Sequence, residues 1–316
     1  MPTIFELAQS FRQRLLRREA KASADVLSAF ESVLTNLNPK IEALQKELEN
    51  NPNIELVRIF LLERYKALEA QTKVEIARFS GVAAQITGGA QRINSEFALS
   101  EASALIQSQT NAFVRLPTRA VESFVGLASD GSSLNKIFAA ISGVAVKAVR
   151  DKLTVSIALG HNPRKLASEI RRSFGTPAAR ALTLSRNESL RSYREASRHI
   201  YLENSNLVSG YVRLSARNAR TCPICWALDG EIYETSEPFA SHVACRCSIL
   251  PYMGKPLAKT GVQIFAALDA DNQREILGNG KFELYRAGKI SLNDLVETRN
   301  DKRWGKVRFE KSLRNL

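Results

Sequence analysis

The stretch from Thr221 to Tyr252 gathers all four cysteines of a 316-residue chain, together with His242, one of its three histidines. Thiolate sulfur and imidazole nitrogen are the donors zinc prefers, and Cys222-Pro-Ile-Cys225 has the spacing that turns two sulfurs toward one point. His242-Val-Ala-Cys245-Arg-Cys247 offers three more donors. Tetrahedral zinc takes four ligands, so one of the five candidates is spare. If 245–247 is strand, Cys245 and Cys247 face opposite ways, and both reach one ion only where the backbone bends. Three chemistries compete here: a closed structural zinc, disulfides joining Cys222 or Cys225 to one of the second pair, and a catalytic metal. Catalytic zinc keeps an open position and a nearby general base, whereas these donors suffice to close the shell, and the nearest carboxylate, Glu237, precedes His242 by five residues. Four cysteines in a chain of this size suit a metal better than a disulfide framework, which belongs to small secreted domains.

The elements around the window explain how it could close. In "LVSGYVRLSA", Val208, Tyr211 and Val212 suit a strand; Asp229-Gly230 reads as a hairpin turn; "EIYET" returns as a second strand that Pro238 ends; and the second cysteine pair leads into "SILPY". Trp226 and Tyr233 are expected to pack this unit rather than stack on bases. Upstream, Gly160 closes one helix, Asn162-Pro163 opens the next, Gly175 closes that, and Thr176-Pro177 opens another. In this last helix Leu190, Tyr193, Ser197 and Ile200 trace an inward face. Arg191, Arg194 and Arg198 lie about 100° round from it and form a basic ridge.

The first half reads as helix. Ile4, Leu7, Phe11 and Leu15 share one stripe, as do Val26, Phe30, Val33 and Leu37, then Ile41, Leu44 and Leu48. Asn38-Pro39 and "NNPN" at 50–53 break these helices apart. A longer stripe of Ile54, Val57, Leu61, Tyr65, Leu68, Thr72, Ile76 and Phe79 ends at Ser80-Gly81, and a rod of that length needs partners. The small residues that follow permit close helix approach, "ASDGSSLNK" is a loop with a Ser cap, and "LNKIFAAISGVAVKAV" is a candidate for burial. In the C-terminal part Ile264, Phe265, Leu268 and Ile276 fit one or two helices, Gly278 and Gly280 interrupt, Ser291 with Asp294 caps another, and "DKRWGKVRFEKSLRNL" is a basic tail. The fold class expected is α+β and predominantly α-helical: long N-terminal helices, a helical segment, and a small antiparallel β unit with a Cys/His knuckle. Three domains follow, a helical 1–150, a knuckle-bearing 151–255 and a short, helical, basic extension 256–316.

The chain carries a formal charge of +13, with 44% apolar and 24% charged residues, an ordinary globular composition. Residues 1–150 hold 18 basic against 15 acidic side chains, and 151–316 hold 27 against 17. The excess lies between 164 and 220, where 12 basic residues face four acidic ones. Such a field attracts polyanions or an acidic protein surface, and the attraction weakens with salt. The longest runs without a charged side chain are 13 residues, short of a membrane span, and the N-terminus lacks the basic start of a secretory signal, so a soluble intracellular protein is expected. No Gly-x-x-x-x-Gly-Lys loop, Gly-x-Ser-x-Gly elbow or His-Glu-x-x-His helix is present. Glu188, Glu195, Glu231 and Glu234 are spaced like ordinary helix and strand charges, and His161 and His199 like cap or surface histidines.

The succession "LGHNPRKLASEIRRSFG", "ARALTLSRNESLRSY", a strand, "RTCPICWALDGEIY" and "SHVACRCSILPY" resembles the Mu F-like head morphogenesis proteins, minor capsid proteins of tailed phages. The resemblance covers about 100 residues, 155–255. Two departures stand out: Arg186-Asn187-Glu188 replaces an Arg-Thr-Glu triplet, and Asn218 replaces an Asp ahead of the first cysteine, which puts a polar contact to the knuckle in doubt. The resemblance implies a non-enzymatic part of the procapsid, present in several copies in the virion interior or at the portal vertex after assembly in the host cytoplasm. Its expected partners are the portal protein, the major capsid or scaffolding protein and phage double-stranded DNA, with no membrane. Arg186, Arg191, Arg194 and Arg198 are then the candidate contacts to nucleic acid or portal. Zinc at the knuckle would lock a small sheet that buries little apolar area. The other reading is a zinc-containing nuclease of HNH type, which needs a histidine base after the first cysteine pair; only His242 stands there.

Overall fold

The computed structural model describes residues 3–51, 63–112, 114–116, 123–158, 162–255, 257–301 and 305–316. Ile54, Val57 and Leu61 of the long stripe, the Gly160 stop, His161 and residues 302–304 of the basic tail lie outside them.

Helix α1 (Ile4–Asn50) opens on a capping box: the Glu6 amide donates to Thr3 Oγ1 at 3.2 Å and the Thr3 amide to Glu6 Oε2 at 2.8 Å. The expected break at Asn38-Pro39 does not occur, and Pro39 sits inside the helix. A proline there costs about 3 kcal/mol. Leu37, Ile41 and Leu44 on the same stripe are all but fully buried, and each contributes roughly 1.5–3 kcal/mol. Packing therefore outweighs the local penalty.

Helix α2 (Glu63–Gln107) also runs through its expected stop, Ser80-Gly81. The Ser80 hydroxyl donates to Ile76 O at 3.0 Å and approaches Phe138 O at 3.2 Å. One glycine costs only about 1 kcal/mol in a helix interior, too little to end an element held by tertiary contacts. Glu47 pairs with Arg64, and Arg14 with Glu101, so α1 and α2 lie antiparallel. The rod thus finds its partner within the chain.

Helix α3 (Leu134–Ala158) buries Leu134, Ile137, Phe138, Ala145 and Val149 against α2 and its neighbours, and leaves Val144 exposed. Asn162 caps α4 (Pro163–Ser173), its side chain accepting from the Lys165 amide at 2.8 Å, as Asn-Pro predicts. The next junction is shorter than expected: Gly175 is already the first residue of α5 (Gly175–Glu203), and Phe174, in helical geometry, joins the two helices without a side-chain cap. Phe174 is fully buried, so the junction is held by packing. Arg171 of α4 donates to Asn38 of α1, and Arg186 of α5 donates to Glu19 of α1, so both helices lie against α1. The small residues of α2 let α5 come close enough for Asn94 Nδ2 to donate to Ser189 O at 2.8 Å. The largest apolar cluster combines Val26 to Leu48 of α1 with Leu166, Ile170, Phe174 and Leu184, on both sides of position 150.

Strand β1 (Gly210–Leu214) is central in a three-stranded antiparallel sheet, β2 (Ile232–Tyr233) and β3 (Ser248–Tyr252) flanking it. Its register pairs Tyr211 with Tyr233 and with Pro251. Asp229-Gly230 is not a tight hairpin turn. The connection from β1 to β2 includes helix α6 (Pro223–Ala227), and Asp229 is buried, accepting from the Ser215 amide at 2.6 Å and Arg217 Nε at 2.7 Å.

The C-terminal part contains α7 (Gly261–Ala266), α8 (Ala270–Leu277) and α9 (Asn279–Arg286), then a hairpin of β4 (Val296–Asp301) and β5 (Gly305–Glu310). The hairpin corrects the expectation of an all-helical extension, and Ser291 with Asp294 leads into a single 3-10 turn. The tail folds as strand because β5 docks on the knuckle, the Arg308 amide donating to Ser241 O at 3.0 Å. Trp226, fully buried, meets Phe265 edge-on at 5.7 Å and ties α6 to α7. Gly261 makes that contact possible, since a Cβ there would stand 2.3 Å from Trp226 O and 2.6 Å from Asp229 Cβ. Gly261→Ala is expected to push α7 off α6 and cost about 1–3 kcal/mol, read as a lower urea midpoint; an unchanged midpoint would mean the joint is loose. Among the described residues no helix is long and apolar enough to cross a membrane.

Candidate metal centre

Cys222 is the residue before α6 and Cys225 lies in its single turn, so one short helix presents both sulfurs. The second pair arrives on a bend: Ala244 has a left-handed backbone (φ 59°), and β3 begins only at Ser248. Cys245 and Cys247 therefore precede the strand, alternation does not separate them, and both sulfurs face Cys225. Asn187 of α5 holds the bend, its Oδ1 accepting from the Ala244 amide at 2.8 Å. The Asn within Arg186-Asn187-Glu188 is thus a support of the ligand loop.

All five donors come together. The donor atoms of Cys222, Cys225 and His242 lie within 4.8 Å of one another, as do those of Cys225, Cys245 and Cys247, and Cys225 belongs to both groups. His242 Nε2 lies 3.3 Å from Cys222 Sγ and 3.0 Å from Cys225 Sγ, while Cys225 Sγ is 3.9 Å from Cys245 Sγ and 3.2 Å from Cys247 Sγ. Zinc–sulfur bonds of about 2.3 Å in a tetrahedron put neighbouring sulfurs about 3.8 Å apart and sulfur and nitrogen about 3.5 Å apart. These four separations lie within about 0.6 Å of those values, but among the described residues the donors lie within 4.8 Å of one another only in sets of three, so a fourth ligand must move inward to close a tetrahedron. All four thiols are free, with no disulfide among them. His242 Nδ1 donates to Val243 O at 2.8 Å, which leaves the Nε2 lone pair for a cation.

The surroundings fit thiolates. Arg213, fully buried in β1, directs Nη2 at Cys245 Sγ (3.5 Å) and Cys225 Sγ (3.7 Å) and donates through Nη1 to Ala240 O at 2.8 Å. Burial works to lower its pKa, but negative charge on Cys247, Cys245 and Cys225 prevails and holds it well above the usual guanidinium value. Among the described residues no carboxylate pairs with Arg213, so sulfur is its counterion. Arg194 reaches Cys245 O and Cys247 O at 3.4 Å, and Arg12 donates through Nε to Arg246 O at 3.0 Å; burial lowers the pKa of both. Two guanidinium groups lie over the Phe239 ring, Arg194 at 4.7 Å and Arg213 at 4.5 Å from its centroid. Cys222 has its pKa drawn down to about 5, chiefly by its hydrogen bond with Cys225 and also by His242. Burial disfavours charge on His242, yet Cys245 and Cys222 raise its pKa to about 10. Without a metal the cluster is held as an imidazolium–thiolate network, and a cation would take the proton's place.

The arginine ridge on α5 is turned inward. Arg191 donates to Glu188 at 2.8 Å and to Leu127 O at 2.7 Å, Arg198 to Glu195 at 2.8 Å and to Thr235 O at 2.8 Å, and Arg194 serves the cysteine loop. Arg186 pairs with buried Glu19 at 2.6 Å. Arg194 and Arg198 are buried, so no cationic stripe faces outward along this helix. The physical reason is that α5 packs on α1 and α2 on one side and on the β unit on the other, leaving it little free surface. Glu188, spaced like an ordinary helix charge, is fully buried between Gln91 and Arg191, and burial raises its pKa. His199 stacks on Phe124, with centroids 6.3 Å apart. Tyr233 stacks on Tyr211 and packs the unit as expected. Asn218 keeps a polar contact despite replacing an acid: its Oδ1 accepts from the Arg220 amide at 3.1 Å and the Thr221 hydroxyl at 3.3 Å.

Three contributors went unread in the sequence. Arg213 could have been noticed as the one charge in the apolar run "GYVRL". Arg12 and Phe239 carry no local signal, because their roles arise from elements distant in the chain.

Residues 147–250, about a third of the chain, match the family described as Phage Mu protein F like protein. It is the family that the motifs resemble, and the matched span contains all five candidate ligands and all of α5. No curated protein and no solved structure matches the chain significantly.

Proposed function

We propose that this chain is a structural part of a phage head, a Mu F-like morphogenesis protein whose β unit is locked by a zinc ion held by four of Cys222, Cys225, His242, Cys245 and Cys247. The observation that carries the reading is the convergent donor set: His242 turns its free nitrogen onto two cysteine sulfurs, so that this imidazole is engaged and not free to act as a base. A nuclease of HNH type needs that base free. Zinc closed by sulfur and nitrogen supplies folding energy and no open position for a reacting water. Assembly beside the portal in several copies, with the major capsid or scaffolding protein and phage DNA as neighbours, accords with the family matched over 147–250.

The test is co-expression with the portal and major capsid proteins of the same phage, followed by sedimentation of the shells and zinc analysis of the purified chain. The chain is expected in the shell fraction with about one zinc per copy. Its absence from shells, or metal-dependent DNA cleavage that His242→Ala abolishes, would overturn the reading.

A further inference from the structure

Beside the metal centre, between the start of α1 and the loop before Cys222, lies a cavity of about 730 Å³. That volume falls in the ~300–1,000 Å³ range of small-molecule sites. Cys222, Cys225 and His242 form part of its wall, and its lining includes Arg12, Arg217, Arg220 and Arg246 but no Asp or Glu. Arg12 is occupied by Arg246 O, and Arg217 by Asp229 and Lys259 O. Among the described residues, the side chains of Arg220 and Arg246 have no such partner. A divalent cation among three or four thiolates leaves one or two negative charges, and Arg12, Arg194 and Arg213 already offset these. Arg220 and Arg246 are then surplus positive charge at a concave, partly apolar site that also contains Phe5, Leu16 and Gln13. Guanidinium groups recognise oxyanions, phosphate fits their fork best, and Arg220 and Arg246 both line this one cavity.

We propose that this cavity binds a phosphate monoester of nucleotide size, Arg220 and Arg246 closing on the phosphate while Phe5 and Leu16 cover its apolar part. The ligand could be a free nucleotide or the 5′-phosphorylated end of a DNA strand, and the site would be the same for either. The inference does not depend on the place of the protein in a phage head.

The test is calorimetric titration of the full, metal-loaded chain with adenosine 5′-monophosphate, with a short DNA strand bearing or lacking a 5′-phosphate, and with an oligoglutamate peptide. The phosphate-bearing probes are expected to bind and to be displaced by inorganic phosphate. Arg220→Gln, at an exposed position, should weaken them about tenfold or more. Gln13→Glu, which sets a carboxylate at the cavity on a helix that tolerates either residue, should act in the same direction. Metal content and melting temperature are expected to stay unchanged in both variants. Binding of the mononucleotide alone identifies the free ligand as the source, and binding of the phosphorylated strand alone identifies the DNA end. No binding by either phosphate probe, equal binding of phosphorylated and unphosphorylated strands, or tighter binding of oligoglutamate overturns the proposal. If a variant loses its metal, displacement by inorganic phosphate from the unaltered chain decides the same question.

Discussion

Cys225→Ser is expected to remove the metal and unlock the β unit in one step. Cys225 is the donor common to both groups, and its sulfur is the one toward which His242 Nε2, Cys245 and Cys247 all point. A serine oxygen is a poor substitute for thiolate, and structural zinc contributes about 10 kcal/mol or more to folding. The β unit cannot replace that sum, since β2 has two residues and β1 and β3 five each. Metal analysis and thermal unfolding should therefore fall together in the variant, and a chelator should bring the unaltered chain to the same low melting point. The bundle of α1, α2 and α5 has its own apolar cores, so helical circular dichroism should survive after the signal of Trp226 has shifted. A variant with normal stability and no metal would mean that the thiols are an ordinary buried cluster.

Arg213→Ala is expected to be nearly as damaging, by a different route. Its guanidinium is buried against Cys225, Cys245 and the Phe239 ring. Removing one partner of a buried charge pair leaves the other uncompensated, at a cost of about 3–5 kcal/mol. The thiolates would then hold more protons, and the affinity for metal should drop, measured by competition with a chromophoric chelator. Arg213→Met separates charge from volume: it fills the space without neutralising the sulfurs, so stability should recover in part while metal affinity stays low. Full recovery of both in the Met variant would show that Arg213 acts only as packing.

The main disagreements between sequence and structure share one origin. Pro39 and Gly81 carry local penalties that read as helix ends, yet α1 and α2 run through them because long-range burial exceeds those penalties. Arg191, Arg194 and Arg198 have the spacing of an exposed ridge. Whether that face meets water depends on what packs on it, and here the ligand loop and Thr235 do. The C-terminal hairpin was missed for the same reason: its strand partner and its dock at Ser241 are not local.

Residue types and spacing alone pointed to the helical first half, the Asn-Pro cap of α4, the small β unit and the five candidate metal donors, because capping, periodicity and ligand chemistry act over a few residues. They also carried the family resemblance, which rests on short motifs in order. The convergence of Cys245 and Cys247 on one sulfur, the inward turn of the arginines and the guanidinium that answers the thiolates came from the packed chain. These depend on which distant segments touch: Asn187 must meet Ala244, and Arg213 must lie beneath two cysteines more than ten residues away in sequence. Charge and burial are properties of a neighbourhood, and a neighbourhood exists only once the chain has folded.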